Sequence, residues 1–270
     1  MSADTLTVPQ ITDWDDAYAN GIHIPGGLQF PARWETAAAA FRQAHTPEML
    51  GLGELYRPEG TPRGLVVLIH GGYWMKFGPR WFSHLAAGPL ARGWAVLLPG
   101  YTLAPAGRLT TMRDEIAVQI AGAAVQVAGP LVLTGHSAGG QLAARLICED
   151  TPLPPEITTR IARALPLSGL FDLRPLQLTE YREPLGLDDR TALLESPVFH
   201  QPLPGPALHV WVGADERPVF VQQSRLIFDA WAGIPRETLL TVEPGRHHMD
   251  VVEGYSDPAH PLCEALVGGI

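Results

Sequence analysis

The chain has 270 residues, which suits one large α/β domain or two small ones, and with 46% of them hydrophobic and 17% charged it has apolar content enough for a sizeable core. Its formal net charge of -9, with no basic run, argues against nucleic acid or an anionic membrane as partner, because nothing would neutralise phosphates. No apolar stretch approaches the ~20 residues of a membrane span, the first ten residues lack the apolar segment of a signal peptide, and the two cysteines, Cys148 and Cys263, make no disulfide framework. The expectation is a soluble, cytoplasmic protein.

Residues 1–60 read as an N-terminal extension packed like a cap over the active edge of a catalytic core at 61–270, the whole being one domain. The extension holds Asp13-Trp14-Asp15-Asp16-Ala17-Tyr18, then Ile22-His23-Ile24-Pro25-Gly26-Gly27, then a helical pattern over 31–43. Its aromatic and apolar residues are too many for a free tail. Five apolar runs follow that read as buried strands, at Leu65–Ile69, 94–98, 131–134, 164–167 and 208–212, with a sixth at 238–242. Between them lie helical stretches. The pattern over 112–128 puts Ile116, Ile120, Ala123, Ala124 and Val127 on one face, and residues 140–148 are also compatible with helix. Strands apolar throughout and alternating with helices predict an α/β fold, a mostly parallel central sheet with helices on both faces. In such sheets reactive residues collect at the carboxyl ends of the strands.

The first of these ends carries His70-Gly71-Gly72-Tyr73-Trp74. Glycines let a backbone approach a substrate closely and aim N–H groups at a developing oxyanion. The donors expected are the amides of Gly72, Tyr73 and Ala138, with His70 anchoring the loop. After 131–134 comes Gly135-His136-Ser137-Ala138-Gly139, a G-x-S-x-G at a strand-to-helix turn. With 7 serines and 28 glycines in the chain, chance supplies this pattern only about 0.08 times, so the strand before it and the helix after it make Ser137 the candidate nucleophile. His136, next to it, is expected to point away.

A serine hydroxyl needs a base and an acid that orients the base. The strand at 208–212 leads into Gly213-Ala214-Asp215-Glu216, so the acid is Glu216 or Asp215, with the position three residues past the glycine favouring Glu216. The strand at 238–242 leads into Glu243-Pro244-Gly245-Arg246-His247-His248-Met249-Asp250, and one of the two histidines is the expected base. A metal site is disfavoured, since no other His, Cys and Asp set lies at ligand spacing. No cofactor is expected.

Several segments together resemble the kynurenine formamidase (arylformamidase) branch of the α/β-hydrolases. They are His70-Gly71-Gly72-Tyr73-Trp74, Gly135-His136-Ser137-Ala138-Gly139-Gly140, Ser168-Gly169-Leu170-Phe171-Asp172-Leu173 and the stretch from Glu216 to Ser224. Asp16-Ala17-Tyr18-Ala19-Asn20 and His248-Met249-Asp250-Val251-Val252 also fit, so the resemblance spans about residues 13–253. Tyr101-Thr102-Leu103-Ala104-Pro105 resembles a stretch of hormone-sensitive-lipase-type esterases. The resemblance implies an α/β-hydrolase fold with nucleophile Ser137, acid Glu216 and base His248. Glu216 departs from the Asp of animal members at that position.

The resemblance further implies hydrolysis of a small ester or aryl formamide through an acyl-enzyme, N-formylkynurenine being one such substrate. A general short-chain carboxylesterase or thioesterase would use the same machinery. A non-catalytic binding protein of the same fold is the remaining alternative, and such proteins usually lose the serine or the histidine. Tyr73, Trp74, Trp81 and Phe82 are candidates either for an aromatic-accepting pocket or for ordinary packing. The oligomeric state stays open, a homodimer among the options.

Overall fold

In the computed structural model, which describes residues 10–270, the apolar runs pair into one eight-stranded sheet. The first nine residues, read above for a signal segment, lie outside the described residues. The strands are β1 (Glu48–Leu50), β2 (Gly53–Tyr56), β3 (Leu65–Ile69), β4 (Ala95–Leu98), β5 (Leu131–His136), β6 (Ile161–Leu167), β7 (Ala207–Gly213) and β8 (Glu237–Glu243). Their spatial order is β1-β2-β4-β3-β5-β6-β7-β8. β2 pairs antiparallel with both β1 and β4, and the pairs from β4 through β8 are parallel.

The all-apolar strands are explained by what lies on each side. Along β3, Leu65, Val67 and Ile69 belong to one core cluster while Val66 and Leu68 belong to the other. A strand buried on both faces has no polar alternation to show. The helix Leu109–Gln126 sets its expected stripe, Ile116, Ile120, Ala123 and Ala124, into the first cluster. The helix Pro261–Val267 brings Leu262 and Leu266 to the second.

Two helix extents differ from expectation. The helix predicted over 112–128 begins three residues earlier and ends at Gln126. The one predicted over 140–148 is Ala138–Arg145, starting directly on the turn, where the Ser137 carbonyl accepts from the amides of Gly140 and Gln141. It ends early because the chain turns back at Leu146, whose carbonyl accepts from the Thr151 hydroxyl at 2.8 Å.

The extension at 1–60 divides in two. Residues 48–56 form β1 and β2 and extend the sheet rather than covering it. Of the described residues before them, those from Asp16 to Trp34 reach the carboxyl ends of the strands. Asp13 caps the helix Trp14–Tyr18 by accepting from the Asp16 amide at 2.9 Å. Asp16 pairs with Arg217 at 2.7 Å, Asp15 accepts from the Glu180 amide at 2.7 Å, and Tyr18 is fully buried.

Candidate active site

Ser137 stands between β5 and the helix Ala138–Arg145 with φ 57° and ψ -118°, a left-handed backbone that a side-chain-bearing residue seldom adopts. The turn is as cramped as the glycines imply. A Cβ on Gly135 would lie 2.3 Å from the Gly139 carbonyl oxygen, and one on Gly139 would lie 2.1 Å from that of Ile69. The strain is held by the close packing of β5, β3 and the helix that follows.

The loop after β3 lies against this turn: a Cβ on Gly71 would sit 3.1 Å from the Cβ of Ser137. Gly72 (φ 112°), Tyr73 (φ 50°) and Trp74 (φ 59°) run consecutively with positive φ. Three anchors fix that backbone. The buried His70 ring stacks on Tyr101 at 4.3 Å and donates from Nδ1 to the Gly71 carbonyl at 2.8 Å, the anchoring role expected of it. Trp74 Nε1 donates to Gln141 Oε1 at 3.1 Å, and Gln141 in turn donates to the Glu195 carbonyl at 2.8 Å. The Tyr73 hydroxyl donates to the Tyr18 carbonyl while its ring stacks on Tyr181 at 4.2 Å. Among the described residues, the amides of Gly72, Tyr73 and Ala138 have no acceptor, which leaves all three for a ligand.

At the end of β7, Glu216 is buried and Asp215 is exposed. Glu216 Oε2 stands 2.6 Å from His248 Nδ1. Its other oxygen, Oε1, accepts from the Gly213 amide at 2.9 Å and from the Ser168 hydroxyl. An ionised carboxylate only accepts, so the proton between the pair sits on Nδ1 and leaves Nε2 free to take another. His247 goes elsewhere. Its ring meets Phe30 edge-on at 5.4 Å, and its Nδ1 accepts from the amides of Met249 and Asp250, both at 3.2 Å. His248 packs against Phe220 and His136, with ring centroids 4.4 and 4.6 Å apart.

Ser137 and His248 line one cavity of about 330 Å³, and Ser137 Oγ has no hydrogen-bond partner among the described residues. Contacts of a nucleophile with its base commonly tighten when substrate binds. Of the four aromatic candidates, Tyr73 and Phe82 line this cavity, while Trp74 is fully buried behind the loop and Trp81 packs at a tilt against Phe77 without lining the cavity. Trp34 and Phe77 take their places in the wall.

The model of the Alpha/beta hydrolase family matches residues 66–267. The chain belongs to that family. Kynurenine formamidase from Salmo salar is 29% identical to this hydrolase over 214 residues, covering 75% of this chain and 71% of the salmon protein. That from Drosophila melanogaster is 25% identical over 202 residues, covering 70% and 67%. Among solved structures, a candidate thioesterase from Silicibacter sp. tm1040 superposes on the hydrolase with a TM-score of 0.89 at 39% identity, covering 94% of this chain and 98% of that one. A Pyrobaculum calidifontis esterase shares the fold at a TM-score of 0.71 and 16% identity, covering 89% and 91%.

Two residues at the site carry contacts that the sequence does not announce. Ser168, directly after β6 with φ 51°, reaches Glu216 beyond the end of the neighbouring β7; its segment resembles the family's, but nothing in it names Glu216 as partner. His136, expected only to point away from Ser137, lines the same cavity and donates from Nε2 to the His248 carbonyl at 2.9 Å.

Proposed function

We propose that Ser137, Glu216 and His248 act as nucleophile, orienting acid and general base in hydrolysis of a small ester or aryl formamide, N-formylkynurenine among them. The observation that carries this reading is the buried Glu216–His248 pair at 2.6 Å, whose histidine lines the cavity that also holds the strained Ser137. His248 Nε2 takes the proton from Ser137 as the hydroxyl oxygen attacks the carbonyl carbon. Glu216 holds the tautomer and stabilises the imidazolium that forms. The amides of Gly72, Tyr73 and Ala138 donate to the tetrahedral oxyanion, each worth about 3 kcal/mol. His248 returns the proton to the leaving alcohol or amine as its bond to carbon breaks. A water molecule, deprotonated by the same histidine, then attacks the acyl-serine and releases the carboxylic acid and free Ser137.

The resemblance to the kynurenine formamidases favours the aryl formamide. The 39% identical candidate thioesterase supports a second reading, a short-chain carboxylesterase or thioesterase using the same residues. The buried free cysteines fit a reducing, cytoplasmic setting. Steady-state turnover of N-formylkynurenine, p-nitrophenyl acetate and a short acyl thioester, compared at one enzyme concentration, separates the two. A kcat/KM for N-formylkynurenine below that for the simple ester rejects the formamidase reading. Failure of a serine-directed fluorophosphonate to label Ser137 rejects both.

A further inference from the structure

His136 stands next to the candidate nucleophile with one ring nitrogen engaged and the other free. The His248 main-chain carbonyl can only accept, so the contact from Nε2 at 2.9 Å fixes a proton on that nitrogen. Burial, ahead of the neighbouring His248, keeps the ring from taking a second proton near neutral pH. Nδ1 is therefore a bare lone pair, and no group among the described residues donates to it. Nor is it sealed in. Unlike Nε2 of the buried His70, it keeps accessible surface, and the residue lines the cavity of about 330 Å³ that holds Ser137.

The position of that lone pair is specific. A Cβ placed on Gly71 would come within 3.1 Å of the Ser137 Cβ and 3.3 Å of His136 Nδ1. The free acceptor thus lies where the loop after β3 meets the strained serine, beside the place a scissile bond must occupy. No Asp or Glu lines the cavity to compete for a donor.

An ester and a formamide offer the same carbonyl to the amides of Gly72, Tyr73 and Ala138, and differ at the leaving atom. The ester oxygen carries two lone pairs, one of which faces the base as soon as the tetrahedral adduct forms. The amide nitrogen carries a single pair. It develops opposite the new C–O bond, away from the base, so the nitrogen has to invert before it can be protonated. Inversion carries its N–H to the side away from the base, where an acceptor stabilises it.

We propose that His136 Nδ1 is this acceptor, taking a hydrogen bond from the N–H of the scissile formamide and so setting a preference for formamides over esters. When Ser137 Oγ has bonded to the formyl carbon, the serine proton sits on His248 Nε2. With the N–H held by Nδ1, the nitrogen lone pair takes that proton from Nε2. The C–N electron pair then leaves with the nitrogen, the oxyanion pair re-forms the carbonyl of the formyl-serine, and a neutral amine departs. His136 neither gains nor loses a proton. This inference rests on the reading of Ser137 as the nucleophile.

The test compares kcat/KM for formanilide with that for phenyl formate, which pass the same formyl group to Ser137 and differ in the leaving atom. The side-chain amide of Asn can take the place of imidazole Nδ1, and that of Gln the place of Nε2. His136→Asn therefore keeps an acceptor beside the scissile bond and gives up the bond to the His248 carbonyl, while His136→Gln does the opposite. His136→Gln is expected to lower the formanilide-to-phenyl formate ratio about tenfold or more, the size of one lost hydrogen bond. His136→Asn should lower both rates and leave their ratio within about threefold of wild type. An unchanged ratio in His136→Gln, or equal falls in the ratio in the two variants, overturns the proposal.

A measurement on the wild type decides the matter if a variant fails to fold, which circular dichroism would reveal. N-Methylformanilide has no N–H to donate. With each rate divided by that of alkaline hydrolysis, the wild type should favour formanilide over it by about tenfold or more, and parity overturns the proposal. Turnover of phenyl formate without turnover of formanilide rejects the role of His136 and upholds the hydrolytic reading. Turnover of neither, with no fluorophosphonate label on Ser137, rejects both.

Discussion

His136 Nε2 donates to the main-chain carbonyl of His248 at 2.9 Å, so the residue beside the candidate nucleophile holds the backbone of the candidate base. Burial, and secondarily the neighbouring His248, hold the His136 ring well below the usual histidine range. It is therefore neutral at pH 7, and Nε2 carries its one proton. Replacing it with Phe removes the bond and keeps the bulk. His136→Phe is expected to lower kcat for p-nitrophenyl acetate about tenfold with little change in KM. His136→Gln, whose amide reaches a similar distance, should retain more. Equal activity in the two variants would mean that the bond has no part in placing His248.

The paired histidines and paired acids give a sharp contrast. Ser137→Ala and His248→Ala should each reduce kcat by about 10⁴-fold or more, whereas His247→Ala keeps most of the activity. Glu216→Gln should cost about 10³-fold or more, since it removes the carboxylate that orients Nδ1, while Asp215→Asn, at an exposed position, stays near wild type. Steady-state kinetics of all five variants on one ester decide this, and the reverse order within either pair would reassign that role.

Ser168 sets the position of the acid. With Oε1 held by Ser168 and by the Gly213 amide, the Glu216 carboxylate has one way to present Oε2 to His248. Ser168→Ala is expected to lower kcat roughly tenfold at constant KM, the size of one charge-assisted hydrogen bond. The pH profile of kcat/KM should shift as well, because a carboxylate with one donor fewer holds its partner imidazolium differently. A lower thermal stability with an unchanged profile would reduce Ser168 to a packing role.

The buried histidines make stability fall on the acid side. Burial lowers the His70 ring to about 4 from its ordinary 6.5. Above pH 6.5 neither the folded nor the unfolded chain protonates it. Between about 6.5 and about 4 only the unfolded chain binds the proton, so stability drops as pH falls through that window. The slope is about 1.4 kcal/mol per pH unit for such a group, levelling off below about pH 4. Urea unfolding at pH 7, 6 and 5 should therefore show a shallower pH dependence for His70→Phe than for the wild type. Parallel curves would show that His70 takes up its proton while still folded.

Much of the site is legible in the sequence because its signals are local. The strand, glycine, serine, glycine and helix around Ser137 form one contiguous segment, and so does His70-Gly71-Gly72 after β3. Glu216 is preferred over Asp215 by its offset from Gly213, and the choice of His248 over His247 comes from resemblance. What cannot be read there depends on contacts distant in sequence. Ser168 meets Glu216 from 48 residues away, and His136 meets the His248 carbonyl from 112. β1 is three residues long and mostly exposed, so it carries no buried-strand signature, and its neighbour β2 merges into the extension. Trp74 and Tyr73 are adjacent and equally aromatic. Tyr73 lines the cavity and Trp74 is buried behind it, held by its hydrogen bond to Gln141, a contact 67 residues away that no local pattern shows.

The hydrogen bond from the Tyr73 hydroxyl to the Tyr18 carbonyl has a consequence for where this protein can be cut. The family match spans residues 66–267 and so omits Tyr18, Asn20 and Trp34. A fragment starting at residue 61 would keep β3 to β8 and every proposed triad member. It would lose one wall of the cavity and the strut that steadies the Tyr73 backbone. Proteolytic nicking near residue 45, without any loss of chain, would then be the gentler lesion: the severed segment can stay in place through Asp16–Arg217 and the buried Tyr18. Domain-swapping or fusion work on this hydrolase should accordingly treat residues 13–34 as part of the catalytic unit rather than as a leader to be exchanged.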